Sequence, residues 1–263
     1  MIRNALSIAG FDPSAGAGVI MDMKVFSAIG VHAYAVPTAI VEENSDTVSR
    51  VTGVAPDVVI GLLGTLLDHS RVAGTKIGMV YSGRTARAVK HIIRQYGLDN
   101  VVLDPVTLSS SGTRLFADKV DDGITTLLPF CTVVTPNLAE ASALSGIRIR
   151  DRDDMLSSAQ YFIDRGAAAV VIKGGHFAQR GLDLYMDGKR HAFLEAKAVD
   201  RDVHGTGCML SSAITAYLIK GYGTFEAVKK AKAFTLRAIK NSYRLSPSLK
   251  RYVGMPGIVK KKD

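Results

Sequence analysis

Cysteine is scarce in this chain: Cys131 and Cys208 are the only two, far apart in the sequence. Two distant thiols exclude a disulfide framework and suit a reducing compartment. No Cys/His cluster has zinc spacing, so a metal-stapled fold is not expected. No apolar run reaches the length that spans a bilayer, which argues against a membrane role. Met1-Ile2-Arg3-Asn4 leads straight into a strand-like segment, and no secretory signal is read there. No internal repeat and no linker rich in Pro, Gly or Ser divides the sequence. The expectation is therefore a cytoplasmic protein with a single domain over residues 1–263 and a basic tail from about 250. The formal net charge is +9, but the basic residues are scattered, with one dense run at Lys260-Lys261-Lys262. No nucleic-acid motif accompanies them. A solvated basic surface that attracts phosphorylated metabolites is expected, not a nucleic-acid partner.

What is present is an ordinary globular composition, 47% hydrophobic over 263 residues. Strand-like and helix-like segments alternate from end to end. Strands are predicted over 5–9, 33–41, 75–80, 100–103, 132–135 and 168–173. Helices are predicted over 19–29, 58–67, 84–96, 119–127, 151–165 and 206–219, with a last helix capped by Thr224 and running to about Tyr243. A further helix starts at Pro136-Asn137-Leu138-Ala139-Glu140. Residues 184–188 and 190–194 read as a hairpin turning near Asp187-Gly188. This alternation predicts an α/β fold of three αβα layers: a mostly parallel central sheet flanked by helices, with antiparallel strands at one edge.

The most informative stretch is Asp202-Val203-His204-Gly205-Thr206-Gly207-Cys208, which opens a helix. Glycines allow a tight turn, and the first amides of a helix have no internal partner and favour anions. The stretch could hold a phosphoryl group, with Cys208 lowered in pKa by the same field. It could equally be a glycine-rich loop before a core helix with a buried cysteine. A second glycine loop, Gly10 to Gly18, follows the first strand, but it fits neither the Walker A nor the GxGxxG spacing. Asp22 lies one turn into the next helix, where a solvent-facing carboxylate is the plain alternative. Glu42-Glu43-Asn44-Ser45 ends the second strand, at an edge where open α/β sheets bind ligands. A solvated loop is the simpler reading of those residues. Asn137 and Glu140 are three apart and share a helix face.

Several of these segments resemble, in order and over nearly the full length, the hydroxymethylpyrimidine and phosphomethylpyrimidine kinases of the ribokinase-like superfamily. The resemblance is carried by Ala5 to Ser14, Lys76-Ile77-Gly78-Met79, Leu103-Asp104-Pro105-Val106, Thr135 to Glu140, Lys173-Gly174-Gly175-His176 and His204 to Cys208. It implies a ribokinase-like fold and transfer of the γ-phosphoryl group of ATP to a small pyrimidine alcohol or its monophosphate in thiamin biosynthesis. It also implies Mg²⁺, with a monovalent cation possible, and a homodimer. By the same resemblance Gly205, Thr206 and Gly207 form the anion hole, and Cys208 is the general base where more distant sugar kinases carry Asp. Asn137, Glu140 and Lys173 face the ATP phosphates, Glu140 meeting the metal through water. Gly10, Asp22, Glu43, Met79 and Val106 match positions lining the pyrimidine pocket. Simple core packing stays open for Met79 and Val106.

One residue departs from the pattern. The resembling kinases usually carry glutamine where this chain has Glu43. An amide both donates and accepts, whereas a carboxylate only accepts. Glu43 is therefore expected to narrow or shift the substrate range. The loosely matching Gly254-Met255-Pro256-Gly257 puts the adenine-side contacts, not the phosphoryl-transfer core, outside the pattern. Pyridoxal kinase, which shares the fold and the cysteine motif, is the alternative enzyme. A catalytically silent pyrimidine-binding module is the alternative from another class.

Overall fold

A computed structural model describes residues 3–44, 46–109, 112–118, 123–175, 181–196, 199, 201–247 and 250–255. Parts of the polar loop at Ser109 to Gly112, the start of the helix expected over 119–127, His176, Pro256-Gly257 and the lysine run lie outside the described residues.

One nine-stranded sheet organises the chain in the order β3-β2-β1-β4-β5-β6-β7-β8-β9. Its strands are β1 (Asn4–Phe11), β2 (His32–Glu43), β3 (Val48–Gly53), β4 (Gly74–Ile77), β5 (Val101–Leu103), β6 (Val133–Val134), β7 (Ala169–Gly174), β8 (Leu182–Asp187) and β9 (His191–Leu194). The run from β2 to β7 is parallel. The β8–β9 hairpin adds antiparallel strands at one edge, as expected. At the other edge β3 pairs antiparallel with β2, which the sequence reading missed. Its Ser49, Arg50 and Thr52 point into solvent, so it lacks an apolar signature. Pro37 sits inside β2 opposite Ala9, where the register slips before Gly10. A proline cannot donate to a ladder, and a register slip accommodates it.

The helices are α1 (Gly18–Ile29), α2 (Pro56–Leu67), α3 (Gly83–Tyr96), α4 (Leu138–Ser145), α5 (Arg152–Asp164), α6 (Thr206–Ile219) and α7 (Thr224–Lys240). They cover both faces of the sheet. Leu6 and Ile8 of β1, Leu103 of β5 and Ile172 of β7 pack with Leu63, Val89, Leu144 and Phe162 from α2 to α5. The alternate residues Ala5, Val102 and Val171 pack with Phe26, Met209 and Val228 from α1, α6 and α7. Side chains on a strand alternate between faces, so the central strands read as continuous apolar runs.

Helix ends follow local chemistry. Ser82 caps α3 by accepting from Thr85 N–H, and Gly97 ends it at φ 60°. Asn137 and Glu140 form a reciprocal capping box on α4. Three expectations need correction. Over 119–127, the described part is a 3-10 helix, Ile124–Phe130, because Pro129 cannot continue an α-helix. Thr224 is the first residue of α7 rather than its cap, and no side chain caps that helix. In the last helix Lys229, Lys230, Lys232, Arg237 and Lys240 are expected to face mostly out, but Lys232 does not: its Nζ donates to Asp183 Oδ2 and to the carbonyls of Gly181 and Leu194.

A two-strand parallel ribbon, β10 (Val203–His204) with β11 (Arg251–Tyr252), ties the chain before α6 to the segment after α7. Each strand is too short to leave a sequence pattern. The order β2-β1-β4 reverses direction at β1, and in open α/β sheets ligands bind outside the strand ends at such a switch. Phe11, Glu43 and Ile77 are the last residues of those three strands. Leu103 is fully buried between the layers. Leu103→Ala is expected to cost about 2–5 kcal/mol in urea unfolding, the range for truncating a core leucine. A loss well under 1 kcal/mol would contradict this packing.

Candidate active site

Gly205, the residue before α6, has φ 82°, a left-handed conformation that favours glycine. A Cβ there would stand 1.7 Å from the Gly16 carbonyl oxygen. The turn before α6 is thus pressed against the loop that follows β1. Thr206, Gly207 and Cys208 form the first turn of α6, whose leading amides have no intrahelical carbonyl to meet. Gly18 N–H donates to the Cys208 sulfur. A Cβ on Gly207 would lie 3.2 Å from Lys173 Nζ and 3.8 Å from Asp104 Oδ2. The missing side chain therefore leaves room for an ammonium over the start of the helix.

Beneath this turn runs a buried series of charges. Lys76, in the central strand β4, is fully buried and its Nζ reaches both oxygens of Asp22 at 2.9 and 2.8 Å. Asp22 also accepts from Ser7 Oγ and Ser212 Oγ, each at 2.6 Å. Burial opposes charge on Lys76, but Asp22 above all, with Cys208 and Asp104, holds it protonated. Farther along, Lys173 Nζ donates to Asp104 Oδ1 at 2.7 Å, and Asp104 also accepts from Thr135 Oγ1 and Ser211 Oγ. Against the cost of burial, Lys173 and Lys76 keep the Asp104 carboxyl below its usual range. Glu140 is 3% exposed, its Oε2 accepting from Asn137 N–H at 2.7 Å. Burial pushes it up to about 7, with Lys173 opposing and Asp104 adding to the rise.

Two expectations change here. Asp22 neither lines a pocket nor faces solvent, because both its oxygens are filled below Lys76. Cys208 does not have a lowered pKa. Part of the residue is accessible, but its sulfur is enclosed, and burial pushes the thiol up to about 11. Lys76 pulls it down, while Asp104 and Asp22 add to the rise. Two nearby carboxylates and lost hydration outweigh the helix terminus on which the expectation rested.

On the other side of the turn, Gly10, Met79 and Val106 come together. A Cβ on Gly10 would meet Met79 Sδ at 3.0 Å and Val41 at 3.6 Å. Val41 and Met79 are buried in one small apolar cluster, with Tyr81 and Val106 partly buried against it. Met79 is itself core, and Val106 is the more open of the two. Glu43 ends β2 at this edge, near Asp12 and His204. Asp12, Lys76, Asp104 and His204 were not singled out in the sequence reading. A lysine inside an otherwise apolar strand was the one signal that could have found Lys76. Two open depressions at the β8–β9 edge, one beside Tyr161 and His191 and one beside Arg190 and Phe225, contain none of these residues.

The family model for phosphomethylpyrimidine kinase matches residues 12–252. The chain belongs to the phosphomethylpyrimidine kinase family. Its members are phosphotransferases, and so is this chain. It is similar to the hydroxymethylpyrimidine/phosphomethylpyrimidine kinase of Rhizobium meliloti, with 42% identity over 93% of each chain. Among solved structures it resembles a Bacillus subtilis pyridoxal kinase in complex with ADP, at 34% identity, TM-score 0.87 and 97% coverage of both chains. It also resembles a phosphomethylpyrimidine kinase from Clostridium difficile, at 32% identity and TM-score 0.80, covering 90% of this chain and 99% of that one. No helix among the described residues is long and apolar enough to cross a membrane.

Lys76 is the cation that lowers the Cys208 thiol, so its removal has a defined sign. Lys76→Met is expected to move the pH midpoint of Cys208 alkylation by iodoacetamide upward from its native position near 11. Breaking a buried pair costs about 3–5 kcal/mol, so the Asp22→Asn/Lys76→Met double variant serves if the single one does not fold. Losing Asp22 works the other way, but Lys76 acts more strongly, so a smaller rise is expected there. Cys131, buried away from the site, is the internal control. An unchanged or lower midpoint would refute the assignment.

Proposed function

We propose that this chain phosphorylates 4-amino-5-hydroxymethyl-2-methylpyrimidine and its monophosphate with ATP, in the cytoplasm, as a homodimer serving thiamin biosynthesis. One juxtaposition supports the reading most. The Gly205–Cys208 turn lies between Lys173 on one side and the Gly10 loop on the other. An anion site, a fixed cation and an acceptor pocket then share one short path. In the first step the substrate hydroxyl oxygen attacks the γ-phosphorus as its bond to the β,γ-bridging oxygen breaks, leaving ADP. The hydroxyl proton passes to the thiolate form of Cys208, which the Lys76 charge favours. The amides of Gly205, Thr206, Gly207 and Cys208 bind the oxygens on which charge resides, and Lys173 neutralises the phosphates.

Magnesium, and a monovalent cation if one assists, would be held near Asn137 and Glu140 and would supply neutralising charge to the phosphates. The Glu140 carboxyl is clasped by the Asn137 amide and almost fully buried, so it fits contact with a hydrated ion and not direct ligation. Asn137 and Glu140 thus act from the start of α4, beside the nucleotide phosphates.

Pyridoxal is the second candidate acceptor. The observation favouring it is the TM-score of 0.87 to the Bacillus subtilis pyridoxal kinase, against 0.80 to the Clostridium difficile phosphomethylpyrimidine kinase. A substrate panel with Mg-ATP, read as ADP release, tests the choice. The pyrimidine alcohol and its phosphate are expected to turn over faster than pyridoxal, and the reverse order would replace the first reading by the second. Binding of the pyrimidine without any turnover would instead indicate a silent binding module.

The two steps differ in their need for a base. The alcohol must lose a proton, whereas the monophosphate presents an oxygen already anionic at neutral pH. Cys208→Ala is expected to slow the alcohol step by roughly 10²–10⁴-fold, the usual weight of a general base, and the monophosphate step far less. Equal losses in both steps, or none in the first, would remove Cys208 from that role.

A further inference from the structure

Three titratable side chains meet beside the proposed acceptor pocket, where the ends of β1, β2 and β10 converge. One ligating atom from each of Asp12, Glu43 and His204 lies within 4.8 Å of the others. The three are not equivalent. Asp12 is 1% exposed, with Oδ1 accepting from Ser14 N–H and Oδ2 from the N–H groups of Gly16 and Ala17. The same Oδ2 meets His204 Nε2 at 3.2 Å. Burial works against ionisation, yet the hydrogen bonds from His204 and Ser14 hold this carboxyl below its usual range. Asp12 is a fixed anion, and with its oxygens committed to amides it is a poor cation ligand.

Glu43 is half-buried, and among the described residues no side chain or amide donates to its carboxyl. Burial pushes it up to about 7, the Asp12 charge adds to the rise and His204 opposes it. Among the described residues, the other packed elements bring no charge against it. On β3 it is opposed by Val48, while Arg50 lies by Glu42 in the exposed ladder. Lys24 of α1 turns to the Ala15 carbonyl and acts on Asp12. Two neighbouring carboxyls do not both ionise cheaply, and the proton stays on the one without donors.

A protonated carboxyl presents one donor and one acceptor side by side, the same hydrogen-bonding edge as a primary amide. We propose that Glu43 reads the aminopyrimidine as a neutral acid, its O–H donating to the ring nitrogen and its carbonyl oxygen accepting from the 4-amino group, with its burial beside the fixed Asp12 anion keeping the proton on it. The proposal rests on the pyrimidine reading above. It reproduces the edge that glutamine offers in the resembling kinases and adds what glutamine lacks, an affinity tied to pH. Pyridoxal has no amino group beside its ring nitrogen, so its affinity is not expected to follow this proton.

The test is calorimetric binding of hydroxymethylpyrimidine between about pH 6 and 9, for the native protein and Glu43→Gln. The native protein is expected to bind evenly below about 7 and about tenfold more weakly per pH unit above it, while Glu43→Gln stays flat there. A 2-trifluoromethyl analogue, whose ring nitrogen is too weakly basic to protonate in this range, places the proton. Retained binding of the analogue, with the same profile, puts it on Glu43. Loss of analogue binding puts it on the ring and overturns the proposal, as does a native profile that matches Glu43→Gln.

The ligand-free protein supplies a separate readout. The folded carboxyl is raised from its ordinary 4.5 to about 7, so its contribution to stability relative to Glu43→Gln is full below about 4.5 and lost as pH rises through about 7. Melting temperatures of the two proteins that differ by the same amount at every pH would also count against the proposal. If no pyrimidine is phosphorylated by the native protein with Mg-ATP, the substrate reading itself fails. Normal turnover with a flat binding profile removes this inference alone.

Discussion

The site depends on two buried ion pairs, Asp22 with Lys76 and Asp104 with Lys173, set on either side of the first turn of α6. Taking such ions out of water is costly, and apolar replacements of the same volume are often as stable or more so. If the turn binds phosphate as proposed, their presence beneath it is accounted for by positioning rather than by stability. Each ammonium is placed by a missing side chain. A Cβ on Gly78 would stand 2.7 Å from Lys76 Nζ, and one on Gly207 would stand 3.2 Å from Lys173 Nζ. Under the proposed phosphoryl-transfer role, this positive charge is fixed before any ligand arrives, which is how an enzyme avoids reorganising its surroundings during reaction.

The same turn is locked to the acceptor side by backbone contact. Gly205 rests on the Gly16 carbonyl, and Gly18, at φ 58°, has room for no Cβ because the Gly10 oxygen would lie 2.2 Å away. Asp12 ties the intervening loop through three amides and reaches His204. Phosphate turn, glycine loop and β2 edge therefore form one packed unit.

Much of this was legible in the sequence, for physical reasons that differ by element. The central strands were readable because burial on both faces leaves unbroken apolar runs such as Val101-Val102-Leu103. Helix α6 was readable at both ends. The edge strand β3 was not, because Ser49 on one face and Arg50 and Thr52 on the other are all exposed and leave no apolar alternation to see. Single residues were harder still. Asp22 looked like either a surface carboxylate or a ligand contact, and its true partners, Ser7, Lys76 and Ser212, lie up to 190 positions away in the chain. The pKa of Cys208 could not be reasoned from a helix terminus alone, since the carboxylates that raise it come from other strands and helices.

That correction changes what the cysteine contributes. A group resting near 11 is a neutral thiol at ordinary pH, and Lys76 is the nearby charge that makes its ionisation cheaper. A carboxylate in the same place would be a permanent anion beside the phosphate turn. For one alcohol acceptor that difference matters little, since the base is needed in every turnover. For an acceptor that is itself a phosphate, a fixed anion at position 208 would repel it, whereas a thiol does not. Under the two-step reading, cysteine at the head of α6 acts as a base only after its thiol has lost its own proton to solvent, a loss that Lys76 eases, and it is silent when the incoming oxygen already carries the charge.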